Sequence, residues 1–251
     1  IEKDVVISTW QSLYKMPKKY FEQFDCVIGD EAHMFKAKSL TGIMTKLHRC
    51  KYRFGFTGTL DGTQTHRLVL EGLFGPVEKI TSTKKLMENK SLANLKIKCI
   101  VLKHPNVREK FSYAEELDYI VTNEKRIDFC CNLLRHLNGN TLCLFQLVEK
   151  HGKVLYDRIG KDNAFFVYGA TSAEQREEIR SIVDRSKDSI TIASYGTFST
   201  GINIRNINNI VLASPSKSKI RVLQSIGRGL RTSSSKDSIL VFDIADDISY
   251  K

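Results

Sequence analysis

Cys26-Val27-Ile28-Gly29-Asp30-Glu31-Ala32-His33 carries an apolar run that stops abruptly on two carboxylates, a small residue and an imidazole. In a parallel α/β sheet, ligands bind outside the carboxyl ends of the strands. Two carboxylates at such an end suit Mg²⁺, a hard cation held by one or two carboxylates plus substrate phosphates. On that reading Asp30 holds the metal and Glu31 polarises the water that attacks a γ-phosphate. The same acids also suit the first turn of a helix, so the rest of the chain has to decide.

Upstream, Asp4-Val5-Val6-Ile7-Ser8-Thr9 reads as a buried strand ending in hydroxyls, followed by Trp10-Gln11-Ser12 and a basic patch at Lys15, Lys18 and Lys19. Downstream, Leu40, Ile43, Met44 and Leu47 recur at i, i+3, i+4 and i+7, the spacing of an amphipathic helix. Tyr52-Arg53-Phe54-Gly55-Phe56 reads as a second strand, opening into Thr57-Gly58-Thr59. Residues 81–94 are polar and lysine-rich. They mark a boundary, with a first domain over 1–82, a linker over 83–94 and a second domain over 95–251.

Beyond the boundary the alternation is regular. Strands are expected over 95–102, 141–147, 164–168, 189–194, 209–213 and 239–244. Helices are expected over 111–137 with a break near Thr122-Asn123, over 149–159 with Gly160 as its stop, and over 217–230. Ser172 to Gln175 has the spacing of a capping box. Strands alternating with helices predict an α/β fold with parallel sheets covered on both faces.

The 251 residues allow one large domain or two ordinary ones. The formal charge is +11, which points to a polyanionic partner, nucleic acid first. Six cysteines without a C-x-x-C pair fit buried free thiols in a reducing compartment rather than zinc or disulfides. No run approaches the roughly 18 apolar residues of a membrane span. The sequence starts at Ile1 without an initiator Met and reads as lacking an upstream part.

Two later stretches bear on the carboxylates. Ser194-Tyr195-Gly196-Thr197-Phe198-Ser199-Thr200-Gly201-Ile202-Asn203 follows a β-rich run and reads as a loop, by itself an ordinary polar one, whose backbone and hydroxyl donors can also serve phosphates. Gln224-Ser225-Ile226-Gly227-Arg228-Gly229-Leu230-Arg231 puts Arg228 and Arg231 three apart, on one face if helical. Two guanidiniums there can fork onto phosphate oxygens, although a solvated basic helix end has the same composition. Gly227 and Gly229 each cost a helix about 1 kcal/mol against alanine, which argues for a close backbone approach.

In order, Thr9-Trp10-Gln11-Ser12, Asp30-Glu31-Ala32-His33, Thr57-Gly58-Thr59, Ser199-Thr200-Gly201-Ile202-Asn203 and Gln224 to Arg231 resemble the motif series of the superfamily 2 helicases. In detail the chain looks like the phage UvsW branch of DNA helicases. The resemblance implies two RecA-like domains of P-loop NTPase type, the first incomplete, with ATP and Mg²⁺ between them. Asp30 would organise the metal, Glu31 would activate water, and His33 would couple the nucleotide to neighbouring motifs. Thr57, Gly58 and Thr59 match the stretch linking hydrolysis to domain movement, with Gly58 where many relatives have alanine. Gly201, Asn203, Gln224, Arg228 and Arg231 would meet the nucleotide, with Arg231 first choice as arginine finger. Thr9, Gln11, Thr197 and Ser199 lie where relatives contact nucleic acid.

The expected activity is that of an ATP-dependent DNA helicase on branched recombination or repair intermediates, in the cytoplasm, the host's if phage-encoded. The rivals are an RNA helicase, a restriction-system motor subunit, or a nucleic-acid-binding module without turnover. The last draws on the absence of a G-x-x-x-x-G-K-[ST] loop from this sequence. Without that loop this stretch by itself is expected to hydrolyse ATP poorly.

Overall fold

The computed structural model describes residues 5–58, 60, 64–104, 111–160, 162–201, 204–232 and 236–248. Two compact units divide the chain, residues 1–80 and 81–251.

In the first unit, α1 (Trp10–Tyr14) leads through a 3-10 turn to β1 (Cys26–Gly29). A second 3-10 turn (Ala32–Lys36), α2 (Lys38–Lys46), β2 (Tyr52–Gly55) and α3 (Gln64–Phe74) follow. The strands pair in parallel, Cys26 beside Tyr52 and Gly29 beside Gly55. Leu40, Ile43, Met44 and Leu47 are all buried as their spacing predicts, packed with Phe21 and Cys50. The strand expected over 4–9 does not form among its described residues. Residues 5–9 carry no regular structure, and Ile7 is 95% exposed. A β-branched run becomes a strand only where a partner satisfies its backbone and covers its side chains, and no described strand pairs with it. Ile28, Tyr52 and Phe54 are also exposed on the two-stranded sheet.

The second unit begins with α4 (Thr83–Glu88), inside the segment expected as a linker. Ser82 caps it by accepting from the Lys85 amide, and Met87 and Leu92 pack against the second unit's core. Those two apolar side chains give the segment a face to bury, which its lysines mask in the sequence. Then come β3 (Asn94–Lys103), α5 (Tyr113–Thr122), α6 (Glu124–His136), β4 (Thr141–Phe145), a π-helical turn (Val148–Gly152) and α7 (Lys153–Ile159). The series ends with β5 (Ala164–Val167), α8 (Ala173–Arg185), β6 (Ile190–Ser194), α9 (Tyr195–Gly201), β7 (Asn209–Leu212), α10 (Lys219–Gly229) and β8 (Ser238–Asp247).

The sheet runs β3-β8-β7-β4-β6-β5, every neighbour parallel. Its central strands β4 and β7 are buried along their whole length, as a sheet covered on both faces requires. One core cluster gathers Cys130, Cys131, Cys143, Phe145 and Ile192, and another Leu144, Phe198, Ile210 and Val241. Four of the six thiols are buried as expected, whereas Cys26 and Cys99 are exposed. Burial pushes the Cys130 thiol up to about 11 and keeps it protonated. Among the described residues, no helix is long and apolar enough to cross a membrane.

A polar cluster is buried at the carboxyl edge of this sheet. Arg126 Nε donates to both oxygens of Asp246 (2.8 and 3.0 Å), and its Nη1 donates to the Ala213 carbonyl. His151 lies beside it, with Nδ1 2.8 Å from Ser214 Oγ. Burial first, and then the Arg126 charge, push the His151 imidazole down to about 3. The unfolded chain takes up that proton near 6.5, and the native chain refuses it until about 3. Stability supplied by the neutral ring is therefore complete above 6.5 and drains as pH falls towards 3, by on the order of 1 kcal/mol per pH unit. Denaturant titrations across this window are expected to give a shallower acid loss for His151→Gln than for the natural chain. Equal slopes would exclude His151 as a source of acid sensitivity.

Candidate functional site

The carboxylates stand where β1 ends. Gly29 is tightly packed there: a Cβ on it would lie 2.9 Å from the Phe35 ring and 3.0 Å from that of Phe74. Beyond it the Phe56 amide donates to the Gly29 carbonyl and the Ala32 amide to the Phe56 carbonyl, both at 2.8 Å. These two bonds bring the chain leaving β1 beside the chain leaving β2. Between them, Glu31 takes a left-handed backbone, φ 48° and ψ 48°. Such a conformation in a non-glycine residue costs on the order of 1–3 kcal/mol and persists where the surroundings enforce it, often at functional sites.

Its own amide donates to Asp30 Oδ1 at 2.8 Å, which steadies the turn. The Asp30 and Glu31 side chains are exposed, whereas His33 is buried. His33 Nδ1 lies 2.9 Å from Thr57 Oγ1 and 3.3 Å from Glu31 Oε2. The structure thus joins three residues that the sequence assigns to activation and coupling. Gly58 follows Thr57, and a Cβ on it would meet nothing within 4 Å, so alanine there would find room. Thr59 lies outside the described residues.

The described residues contain no group of three or more His, Cys, Asp or Glu arranged to hold a metal ion. Mg²⁺ in phosphoryl-transfer sites does not need one, because phosphates and water fill most of its shell. One exposed carboxylate beside Glu31 is a donor set of that kind.

In the first unit, Thr9 and Gln11 are exposed at the start of α1, with Thr9 Oγ1 3.2 Å from Ser12 Oγ. In the second, residues 195–201 form a helix instead of the expected loop. Ser194 Oγ accepts from the Thr197 amide and lies 2.8 Å from its Oγ1, tightening the first turn. Tyr195 and Phe198, three apart, are both buried. That apolar spacing was the signal for a helix, hidden among glycine and hydroxyls. Thr197 is buried too, engaged with Ser194. Gly201 ends the helix, the Ser199 side chain is not described, and Asn203 lies outside the described residues.

Gln224 and Arg228 sit one turn apart on α10, both half-buried. The helix stops at Gly229, so Arg231 does not continue its face as expected. Leu92 pairs with Arg231 in an antiparallel bridge, and the Ala93 amide donates to the Leu230 carbonyl at 2.8 Å. Gly229 has the close approach the sequence argued for: a Cβ there would lie 2.6 Å from both Ile210 and Ile239. Gly227 has none, since a Cβ on it would meet nothing within 4 Å.

Thr197 thus lies at the carboxyl edge of the sheet, just after β6. Arg231 lies at the amino edge, beside the residues that open β3. The chain after α9 also reaches the amino edge, where Asp184 Oδ1 accepts from the Arg205 and Asn206 amides. Lys236, which no pattern in the sequence distinguishes from a surface lysine, is buried there as well.

Carboxylates closing one parallel strand pair, and an arginine-bearing helix on a second parallel sheet, define an α/β chain of RecA-like design. Residues 125–233 match the family described as "Helicase conserved C-terminal domain", and residues 1–62 match "Type III restriction enzyme, res subunit". The ATP-dependent DNA helicase uvsW of Enterobacteria phage T4 is 36% identical over 98% of this chain and 51% of its own length. The crystal structure of T4 UvsW superposes with a TM-score of 0.55 at 34% identity, covering 96% of this chain and 49% of that one. A putative ATP-dependent helicase of Saccharomyces cerevisiae, IRC3, is 26% identical over 96% of this chain and 37% of its own. A fragment of a putative HsdR restriction subunit from Vibrio vulnificus shares the fold, with a TM-score of 0.72 at 17% identity over 94% of this chain and 46% of that one. The chain is thus similar to superfamily 2 helicases along nearly its whole length, and spans about half the length of its phage relative.

Proposed function

We propose that the protein containing this chain is an ATP-driven DNA helicase or translocase that remodels branched recombination or repair intermediates. The observation that carries the reading is the Glu31-His33-Thr57 cluster, drawn from the ends of two parallel strands around a left-handed Glu31. Its residue types and geometry suit hydrolysis of a phosphoanhydride by an oriented water. The phage relative, a DNA helicase by name, supports DNA over RNA. The proposal concerns the full-length protein, since the chain spans about half the length of its phage relative.

In this scheme Asp30 holds Mg²⁺, which supplies charge neutralisation on the phosphates. Glu31 accepts a hydrogen bond from the attacking water and orients it. His33 senses Glu31 on one side and holds Thr57 on the other, so a change at the nucleotide reaches the segment after β2. Gln224, Arg228, Arg231, Gly201 and Asn203 are assigned to the phosphates of the nucleotide. Thr9, Gln11 and Ser199 contact the nucleic-acid backbone. Thr197 orders the start of α9 through Ser194, and its burial makes direct contact the less suited role.

The test is turnover of Mg-ATP by the full-length protein with DNA, RNA and branched DNA as activators. Stimulation by branched DNA above linear DNA and RNA is expected. Stronger stimulation by RNA would favour the RNA-helicase reading, and no turnover at all would leave a binding module. DNA affinity should fall steeply with salt, the signature of phosphate contacts by a chain of +11 charge. A flat salt response would remove the basic surface from the account.

A further inference from the structure

Lys236 is a buried ammonium whose described hydrogen-bond acceptors are all backbone carbonyls. Its Nζ donates to the Gly229 carbonyl, to that of Arg231 at 3.3 Å and to that of Arg205 at 3.4 Å. Only 3% of the residue is exposed. A lysine almost never loses its water without a reason, because burying the charge costs several kcal/mol unless strong acceptors replace the solvent. Burial holds its pKa down at about 8, so the ammonium form still predominates at neutral pH.

The three carbonyls are not a random set. Gly229 is the last residue of α10, where carbonyls lack intrahelical partners and the helix dipole is negative. Arg231 follows the helix and is the first choice as arginine finger. Arg205 follows the stretch that ends in Gly201 and Asn203. We propose that Lys236 is a positioning residue, a clasp that ties the end of α10 and the Arg231 backbone to the chain leaving α9 and so fixes the direction in which Arg231 projects.

The neighbours support a clasp at this place. Arg231 is already paired to Leu92 on one side, and Arg205 is tethered to Asp184 through its amide. Lys236 links these two anchored segments. Lys236 itself touches no phosphate in this scheme. Its effect reaches the reaction through the backbone that bears the arginine. The inference rests on the ATPase reading for its catalytic consequence, and on geometry alone for the clasp.

Lys236→Met keeps the length and apolar stem while removing the charge and its donors, and Lys236→Arg retains both. In the full-length protein, the Met variant is expected to lose about 10²-fold in kcat, the scale for misplacing a group by an ångström. KM for ATP and the melting temperature should stay near wild type, and the Arg variant should recover much of the rate. Wild-type kcat in Lys236→Met, or a loss that tracks the unfolded fraction, would overturn the proposal. Amide hydrogen exchange reads the clasp without turnover. The Leu230 and Arg231 amides, bonded to Ile226 and Arg228 carbonyls, should exchange faster in the Met variant. If the wild type turns over no ATP, the ATPase reading fails, and unchanged exchange at those two amides would sink the clasp independently.

Discussion

Glu31→Gln is expected to reduce ATP turnover by at least about 10²-fold, within the range that general acid–base groups contribute, while leaving ATP binding intact. The substitution preserves size and removes only the charge proposed to orient the water. Asp30, assigned to the metal, keeps its hydrogen bond from the residue 31 amide, because that bond is a backbone one. His33 keeps Thr57 at 2.9 Å and loses the carboxylate 3.3 Å away. Steady-state turnover and nucleotide affinity, measured on the same full-length protein, separate the two effects. Undiminished turnover would remove Glu31 from the chemistry. Glu31→Gly is the companion variant. It relieves a left-handed backbone worth on the order of 1 kcal/mol and should raise the melting temperature while abolishing activity. A position where the natural residue is both strained and required is held there for function rather than for stability.

The elements that the sequence made legible are those whose signals are local. The capping box at Ser172 forms in both directions, with the Gln175 amide donating to the Ser172 hydroxyl and the Ser172 amide to the Gln175 side chain. Asn123 separates α5 from α6 by accepting from the Arg126 amide, and Gly160 closes α7 at φ 54°. Features that depend on distant partners were not legible. Val5, Val6 and Ile7 have a strand's composition, but a strand needs a neighbour. Residues 195–201 look like a loop by glycine content, yet burial of Tyr195 and Phe198 makes them a helix. Arg228 and Arg231 have helical spacing, but Gly229 seats against Ile210 and Ile239, and the chain then turns to pair with Leu92.

The same limit applies within the candidate site. Asp30, Glu31 and His33 are adjacent in sequence, so their conjunction could be read directly. The hydrogen bond between His33 and Thr57 spans 24 residues; the resemblance implied a coupling role for each, and nothing in the sequence paired them. Lys236 had no local signal at all. Its role arises from the Gly229 and Arg231 carbonyls together with the distant Arg205 carbonyl, and a three-serine run precedes it in sequence.

Arg231→Ala is expected to lower kcat by about 10³–10⁵-fold, the range for an arginine finger in phosphoryl transfer. The argument begins from the end of α10. Arg228 lies in the last turn of the helix and is half-buried, so packing restricts it. Arg231 lies beyond the helix and is exposed, on backbone pinned by Leu92 and Lys236. A charge that must meet a transferring phosphoryl group needs reach together with a fixed origin, and Arg231 combines them. Arg231→Lys should fail to rescue, because a lysine offers a point charge where the guanidinium offers a planar fork. DNA affinity in the absence of nucleotide should hold, since the proposal gives Arg231 to the nucleotide and Thr9, Gln11 and Ser199 to the nucleic acid. Full turnover in Arg231→Ala, with loss in Arg228→Ala, would transfer the finger to Arg228. Loss of DNA affinity in step with turnover would instead assign Arg231 to the nucleic acid.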